Sequence, residues 1–257
     1  MRFASLGSGS EGNALVVEAG SGTRTTRVLL DCGFSAKEVE RRLLRAGLAA
    51  DTLDAILITH EHSDHIGGAL TLARRWSIPL YMSWGTAKAV GADEANVDLR
   101  ILWGDETVEI GDLGVLPYTV PHDAREPLQF VFNDGASRLG VLTDVGESTP
   151  HIGMVLGGCD ALVLECNHDL EMLAASRYPP SLKARIGGSH GHLNNEASAG
   201  ILAGLDRSKL RHLIAAHLSQ QNNTPELARA AMAGVLGNAL TEIGVASQDD
   251  GFDWVAL

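Results

Sequence analysis

Cysteine, signal-like segments and long apolar runs are all scarce or missing in this chain of 257 residues. Its three cysteines form no CxxC pair, which argues against a disulfide framework and indicates a reducing compartment. No apolar run reaches 18 residues and the amino terminus has no apolar core of a leader, so neither a membrane span nor secretion is expected. We therefore expect a cytoplasmic protein with no membrane partner.

Positive charge is also in short supply, because 32 acidic residues outnumber 20 basic ones and leave a net charge of −12. A protein that holds nucleic acid by general electrostatics should be basic, so any DNA binding is expected to be weak and sensitive to salt. Aromatic residues make up only 5%, which argues against a platform on which single-stranded bases stack. An enzyme whose positive charge comes from bound metal ions remains compatible with this composition.

The chain does contain enough apolar sequence for a large core, since 45% of its residues are hydrophobic. No linker or repeat interrupts it, so residues 1–257 are expected to form a single domain. Short strands dominate the first half, and helices are predicted over residues 36–48, 66–76 and 194–205, among others. This pattern predicts the α/β (α+β) class, with two central mixed sheets covered by helices.

The sharpest chemical signal is HEHSDH at residues 60–65, between a buried strand and a predicted helix. His60 and His62 are two residues apart, so in extended backbone they point the same way. Asp64 and His65 occupy the following turn and the helix start. Imidazole and carboxylate groups are ligands that Zn²⁺, Mn²⁺ and Fe accept, so this segment predicts a metal site.

The HxHxDH pattern resembles the second motif of the metallo-β-lactamase fold, an αββα sandwich with its metals at one sheet edge. Asp31, which ends a strand, is similar to the first-motif carboxylate that supports the metal ligands from behind, although a cap on the following helix explains it equally well. The residues that resemble the third-, fourth- and fifth-motif ligands are His122, Asp144 and His217.

The resemblance implies two divalent metal ions, Zn²⁺ or Mn²⁺ with Fe also possible. One ion would take His60, His62, His122 and Asp144, and the other Asp64, His65, Asp144 and His217. Two ions bridged by a carboxylate activate water near neutral pH and stabilise charge on an attacked phosphoryl or acyl group. The bridging Asp144, where the antibiotic-hydrolysing members commonly carry Cys, favours a dinuclear hydrolase over a β-lactamase.

The spacing between these motifs, together with several smaller motifs, indicates which branch of the family the chain resembles. The interval from Asp144 to His217 is too short for the inserted domain of the RNase J branch, and the interval from His122 to Asp144 leaves no room for the arm of RNase Z. The segments GSGSEGN, ECNHD, SHGHLNN and HLSQQNN, in this order, resemble the YycJ/WalJ family. Its members are described as 5′→3′ exonucleases on duplex DNA, which implies a nuclease in DNA repair.

Candidate catalytic residues follow partly from this resemblance. In the related RNase Z group a His at a comparable place protonates the leaving oxygen, which makes His192 the candidate general acid. Glu165 ends a buried strand near the expected metal edge and is placed to orient His192 or a ligand. With Asp64 these two form the candidate catalytic set, and a helix-capping His and a strand-end carboxylate at a turn are the alternatives.

Further polar residues form a candidate set of substrate contacts. A Gly-rich turn offers N–H and hydroxyl donors to phosphate, and a basic stretch is suited to the DNA backbone. A plain hairpin and a solvated face remain the alternatives for these segments. The set comprises Ser8, Ser10, Asn13, Asn167, His168, Arg177, Lys183, Arg185, His190, Asn222 and Asn223.

Two functions are therefore open at this point. The first is a dinuclear-metal-dependent phosphodiesterase that degrades DNA from the 5′ end. The second is a hydrolase of a small ester, thioester, lactone or cyclic phosphodiester, which the acidic composition suits better. A scaffold without activity is disfavoured because the ligand set is complete.

Overall fold

Two seven-stranded β-sheets form the centre of the fold in the computed structural model, which describes residues 1–22, 24–237 and 242–257. The first sheet has the strand order β14-β1-β2-β3-β4-β5-β6, and the second has the order β13-β12-β11-β10-β9-β8-β7. In chain order the strands are β1 (Arg2–Gly7), β2 (Ala14–Ser21), β3 (Arg24–Leu30), β4 (Ala55–Leu57), β5 (Leu80–Ser83), β6 (Leu99–Leu102), β7 (Val108–Ile110), β8 (Leu113–Thr119), β9 (Leu128–Asn133), β10 (Arg138–Leu142), β11 (Ala161–Glu165), β12 (His212–Ala216), β13 (Gly244–Val245) and β14 (Phe252–Ala256).

Helices cover the outer faces of both sheets, and many of them begin at a side chain that accepts a bond from the first-turn backbone. Examples are Ser35, Thr149, Asn194 and Thr224. The α-helices of the described residues are α1 (Ala36–Arg45), α2 (Ser63–Ile66), α3 (Ala69–Trp76), α4 (Trp84–Val90), α5 (Pro150–Leu156), α6 (Leu170–Ala175), α7 (Pro180–Ile186), α8 (Asn195–Gly204) and α9 (Pro225–Leu236).

Three apolar clusters hold these layers together. The middle cluster lies between the sheets and contains Val28 of the first sheet and Phe130 of the second. Leu29, which points the opposite way from Val28, belongs to a second cluster that α1 and α3 cover. The third cluster packs α5, α8 and α9 on the outer face of the second sheet. The resulting helix–sheet–sheet–helix order is the predicted αββα sandwich, with both faces of each sheet buried.

The helix predicted over residues 66–76 is divided in the structure, and its second part begins at Ala69. The interruption falls at Gly67 and Gly68, where the chain passes close to the segment that follows β3. A Cβ on Gly68 would lie 2.3 Å from the carbonyl oxygen of Phe34, so only glycine allows this approach. Apolar periodicity alone did not indicate the break.

No helix among the described residues is both long enough and apolar enough to span a membrane.

Candidate metal centre

The predicted metal ligands lie where parallel strands of both sheets end. In the first sheet β3 and β4 run parallel, and in the second β10, β11 and β12 do. Carboxyl ends of parallel strands share one edge, which is where such sheets place their sites. Asp31 follows β3 and Asp144 lies just beyond β10, while His217 follows β12. The two sheets therefore bring residues distant in sequence to a common edge.

A left-handed backbone turns three of these side chains into the site. Asp31, Asp144 and His217 have φ angles of 60°, 51° and 55°. Non-glycine residues rarely adopt this region, and the strain costs of order 1–3 kcal/mol each, so the conformation persists only where neighbouring groups enforce it. Around His217 the enforcement is visible: its backbone N–H donates to Ser8 Oγ at 2.9 Å, and its carbonyl accepts from Asn167 Nδ2 at 3.1 Å.

The HEHSDH segment leads from β4 into the single-turn helix α2. Its backbone is fixed by the loop after β1, since Asn13 donates to the Asp64 carbonyl from both its backbone N–H, at 2.8 Å, and its side-chain amide, at 3.2 Å. Gly33 packs against the same carbonyl, and a Cβ there would lie 1.7 Å from the Asp64 oxygen. These contacts position Asp64 and His65 independently of any ion.

One group of possible ligands consists of His60, His62 and His122, whose nitrogens lie within 4.8 Å of one another. His62 Nδ1 and His122 Nε2 are 3.4 Å apart. His122 is oriented by its other nitrogen, because Nδ1 donates to the Gly191 carbonyl at 3.0 Å. That bond leaves Nε2 of His122 facing the other two imidazoles, the arrangement typical of metal-binding histidines.

A second group contains Asp64, His65 and His217. Asp144 lies against this second group, with its carboxylate oxygens 3.1 Å from His65 Nε2 and 3.5 Å from His217 Nε2. Asp144 also clusters with His60 and His65. A carboxylate with this placement can contact ions in both groups at once.

Behind the histidines, Asp31 and Thr59 form a buried hydrogen-bond network. Asp31 Oδ2 accepts from His65 Nδ1 at 2.7 Å, and Asp31 Oδ1 accepts from the Thr59 backbone N–H at 2.9 Å. The Thr59 hydroxyl lies 3.0 Å from both Asp31 Oδ1 and His60 Nδ1. Since it donates to the carboxylate, it accepts from His60, which leaves the lone pair on His60 Nε2.

The donor set fits divalent cations. His60 Nε2 and His217 Nε2 are buried and have no hydrogen-bond partner among the described residues, which is costly for polar atoms unless something else binds them. Burial opposes protonation of His217, but Asp144, Asp64 and Glu165 outweigh it and raise its pKa to about 10. For His65, burial is outweighed by Asp144 and Asp31, and its pKa is well above the usual value. Without metal, protons on these two histidines offset part of the charge of the surrounding carboxylates.

Metal affinity should consequently rise with pH. Because the raised pKa values keep His65 and His217 protonated near neutrality, each ion that binds them must displace a proton. We expect affinity to increase up to about tenfold per pH unit for each proton released between roughly pH 6 and pH 8. Calorimetry in buffers of different ionisation enthalpy measures the proton release directly, and an affinity that does not change with pH would contradict the ligand assignment.

His192 and Glu165 lie beside the second group. His192 Nδ1 is 2.7 Å from Glu165 Oε1, and the other oxygen of Glu165 accepts from the backbone N–H groups of Val145 and Leu193. Burial opposes the charged form of Glu165, yet His192 and His217 lower its pKa to about 2. Burial likewise opposes protonation of His192, but Glu165 and Asp144 raise its pKa. A protonated His192 at this edge is able to act as an acid.

A cleft of about 350 Å³ opens onto the site. Asp64, Asp144, His192 and His217 line its floor, and Ser10 and Arg185 lie at its wall. Arg185 Nε donates to Asp123 Oδ2 at 2.6 Å. Its guanidinium is therefore held at the cleft, with 64% of the side chain exposed.

Most of the other predicted substrate contacts lie away from the cleft lining. Six of them are buried and hydrogen-bonded within the protein or packed inside it: Ser8, Asn13, Asn167, His168, Asn222 and Asn223. Asn223, for example, bonds the Cys166 carbonyl and Asn195 and so fixes the start of α9. Arg177 and His190 are exposed, and Lys183 Nζ donates to the Ala174 carbonyl at 2.6 Å.

Sequence reasoning missed two residues that the structure places at the site. Thr59 links Asp31 to two imidazoles, and its position between a buried strand and the histidine motif was an available signal. Asp123 Oδ1 lies 3.4 Å from His122 Nε2 while its other oxygen accepts from Arg185. Adjacency to His122 suggested nothing about Arg185, because α7 reaches this loop only in the folded chain.

Comparison with known proteins agrees with this geometry. Residues 26–218 match the family model of the β-lactamase superfamily domain. The chain is 38% identical to exodeoxyribonuclease YycJ of Bacillus anthracis, over 92% of this chain and 89% of that protein. It is 33% identical to exodeoxyribonuclease WalJ of Streptococcus pneumoniae, over 95% and 91% of the two chains. Zn²⁺-bound PqqB of Methylobacterium extorquens has a similar fold, with a TM-score of 0.76 at 19% identity over the whole of both chains.

Proposed function

Since this chain belongs to the β-lactamase superfamily of metal-dependent hydrolases, we propose that it is an exodeoxyribonuclease that removes nucleotides from the 5′ end of DNA. The observation that carries the proposal is the double group of possible ligands around Asp144, combined with similarity over 92% and 95% of this chain to two relatives named exodeoxyribonuclease. We include in the proposal a single domain and a cytoplasmic location, which the three buried free thiols support.

Two divalent ions, Zn²⁺ or Mn²⁺ with Fe as a further possibility, are part of the proposal. The residues assigned to hold them are His60, His62 and His122 on one side and Asp64, His65 and His217 on the other, with Asp144 shared. Such ions, when bound, activate water and stabilise charge on a phosphoryl group. Zinc in the structural neighbour PqqB supports a divalent ion on this fold.

The remaining chemistry is assigned to residues of the chain. Asp31 and Thr59 keep His60 and His65 in the orientation that presents Nε2 to the site. His192, with its pKa raised by Glu165, is assigned the proton donated to the leaving oxygen of the scissile phosphodiester. Arg185 at the cleft wall is assigned a phosphate contact, and Asp123 holds its guanidinium in place.

Incubation with duplex DNA tests the proposal. The duplex carries a 3′ label and a 5′-phosphate on the same strand, and the protein is loaded with Mn²⁺. We expect wild type to shorten the labelled strand progressively from its 5′ end, and Asp64→Asn to leave it intact. Asp98→Asn, an exposed carboxylate paired with Arg100, is the matched control and should cleave like wild type.

Intact DNA with metal-loaded wild-type protein would overturn the proposal. The alternative would then be a small ester, thioester, lactone or cyclic phosphodiester, which the net charge of −12 favours. Binding to DNA should also weaken as salt rises, because only a local set of cations faces the backbone. Filter binding at several salt concentrations measures how steeply the DNA affinity falls with salt.

A further inference from the structure

Two exposed tryptophans follow neighbouring strands at the edge that carries the metal-ligand candidates. Trp84 comes directly after β5 and Trp103 directly after β6, and the two residues are 43% and 55% exposed. Ser83 of β5 pairs with Leu102 of β6 in a parallel register. The residue after each of these paired positions is a tryptophan, and the paired backbones that lead into the two tryptophans are about one strand spacing, roughly 4.8 Å, apart.

The same row of strand ends connects the tryptophans to the site. β4, which leads to His60, is the other neighbour of β5 in the sheet. Trp103 thus lies about two strand spacings, roughly 10 Å, from the end of β4. That distance corresponds to about three stacked nucleotides at roughly 3.4 Å each. A DNA strand whose phosphodiester lies at the two groups of possible metal ligands can therefore reach both indoles.

Cationic groups accompany the two indoles. Arg125 belongs to the loop that carries His122, and its guanidinium has no hydrogen bond or ion pair with any residue that the structure describes. Its backbone N–H donates to Glu61 at 2.8 Å, which ties the loop to the histidine motif. Lys88 Nζ lies 4.8 Å from the centre of the Trp84 ring and is paired with Asp93. Of these two cations, Arg125 is the one without a charged partner among the described residues, and its Cβ would lie 3.3 Å from a Cβ on Gly85, next to Trp84.

Glu126 holds this surface in position. Its carboxylate accepts from the Gly85 backbone N–H at 2.6 Å, and its carbonyl accepts from Ser83 Oγ at 2.7 Å. The His122 loop and the start of α4 are thereby joined beside Trp84. The surface has a fixed backbone although its aromatic side chains are open to solvent.

We propose that Trp84, Trp103 and Arg125 form a platform for unpaired bases of the DNA substrate next to the scissile phosphodiester. The indoles stack on successive bases, and Arg125 contacts a phosphate between them. This inference rests on the proposed exodeoxyribonuclease function and names how that enzyme holds its strand. Stacking tolerates any base, because every base has an aromatic face.

The size of the surface favours DNA over a protein partner. Two half-exposed tryptophans offer roughly 200 Å² of aromatic surface. A stable protein interface needs about 800 Å² on each partner. Among the described residues, the other large exposed apolar side chains, such as Leu44 and Met154, belong to other elements, namely α1 and α5. Two bases require no larger apolar area than the two indoles supply.

The platform also resolves the conflict between an acidic chain and a DNA substrate. With a net charge of −12, long-range attraction to phosphates is poor, but stacking contributes affinity that does not depend on net charge. A low aromatic content of 5% suggested that no such platform exists. The percentage did not reveal that two of the four tryptophans follow adjacent strands of one sheet.

Fluorescence anisotropy with a hydrolysis-resistant, phosphorothioate-linked single strand of ten thymidines tests the proposal. We expect Trp84→Ala and Trp103→Ala each to raise Kd about fivefold to 150-fold. Replacement by Phe should retain most of the binding, whereas replacement by Leu should lose as much as Ala, because Leu is apolar but cannot stack. Trp76→Ala, 41% exposed on α3, is the matched control and should bind like wild type.

Arg125→Ala should reduce, by about 0.7, the magnitude of the slope of the logarithm of the DNA-binding constant against the logarithm of the salt concentration. Arg74→Ala is the control and should leave this slope unchanged. An unchanged Kd in the Trp84→Leu/Trp103→Leu variant would overturn the platform. A different molecular mass of this variant and of wild type by light scattering, together with an unchanged DNA affinity, would also overturn the platform. The surface would then contact a second copy of the chain.

The two proposals fail separately. If wild type shortens duplex DNA and the tryptophan variants do so with an unchanged KM, the nuclease stands and the platform falls. If wild type binds the oligonucleotide through the tryptophans but never shortens DNA, the platform is supported as a DNA-binding surface and the exodeoxyribonuclease proposal falls.

Discussion

The variant Asp144→Asn is expected to lose about 1,000-fold or more of the hydrolytic activity. Among the described residues, Asp144 is the carboxylate that clusters both with His60 of one group and with His65 and His217 of the other, so its loss should weaken the binding of both proposed ions. Charge stabilisation by such ions is worth several kcal/mol, and each 1.4 kcal/mol changes the rate about tenfold. Metal content measured by mass spectrometry should fall from two ions to one or none per chain.

Asn is chosen as the replacement because it preserves the backbone conformation at residue 144. Asp144 has a φ of 51°, and Asn tolerates this left-handed conformation as well as Asp does. A loss of activity with an unchanged circular dichroism spectrum therefore reports the carboxylate charge. Retention of two ions and of more than about a tenth of the activity would show that Asp144 does not bridge the ions.

The second large effect is expected from His192→Ala, which should lower kcat on DNA by about 100-fold to 10,000-fold while metal content stays at the wild-type value. His192 is bonded to Glu165 at the cleft and is assigned no ion. A substrate with a good leaving group, such as a p-nitrophenyl phosphodiester, needs no proton on the departing oxygen. Its hydrolysis should suffer much less, and an equal loss on both substrates would contradict the general-acid role.

The pH profile of the variant Glu165→Gln distinguishes two roles of Glu165, namely tuning His192 and only stabilising the fold. Burial lowers the pKa of His192, and Glu165 is the main group that raises it. An acid must be protonated to act, so activity falls as pH rises through the pKa of His192. Removal of the Glu165 charge lowers that pKa, and the alkaline limb of the kcat profile should move to lower pH. A reduced rate with the limb in its original place would indicate a structural role alone.

Much of the candidate ligand set could be proposed from the chain because each residue stands at a strand end or within one short motif. His60, His62, Asp64 and His65 are encoded within six consecutive residues, and local backbone geometry is enough to suggest convergence. The substrate contacts were harder to predict. Asn13 and Asn223 are polar residues in motifs that resemble binding loops, but the structure uses both to hold backbone in place.

By itself, the sequence determined the fold class, the family and the residue types of the candidate metal ligands, because strand patterns and short motifs are local properties. Only the tertiary structure decided which side chains face the cleft. Asp123 meets Arg185, and Trp84 and Trp103 follow adjacent strands, because two sheets and their helices bring separate strand ends to one edge. Such neighbours depend on strand order, and the candidate ligands Asp31, Asp144 and His217 depend in addition on their left-handed backbone, which no periodicity in the sequence encodes.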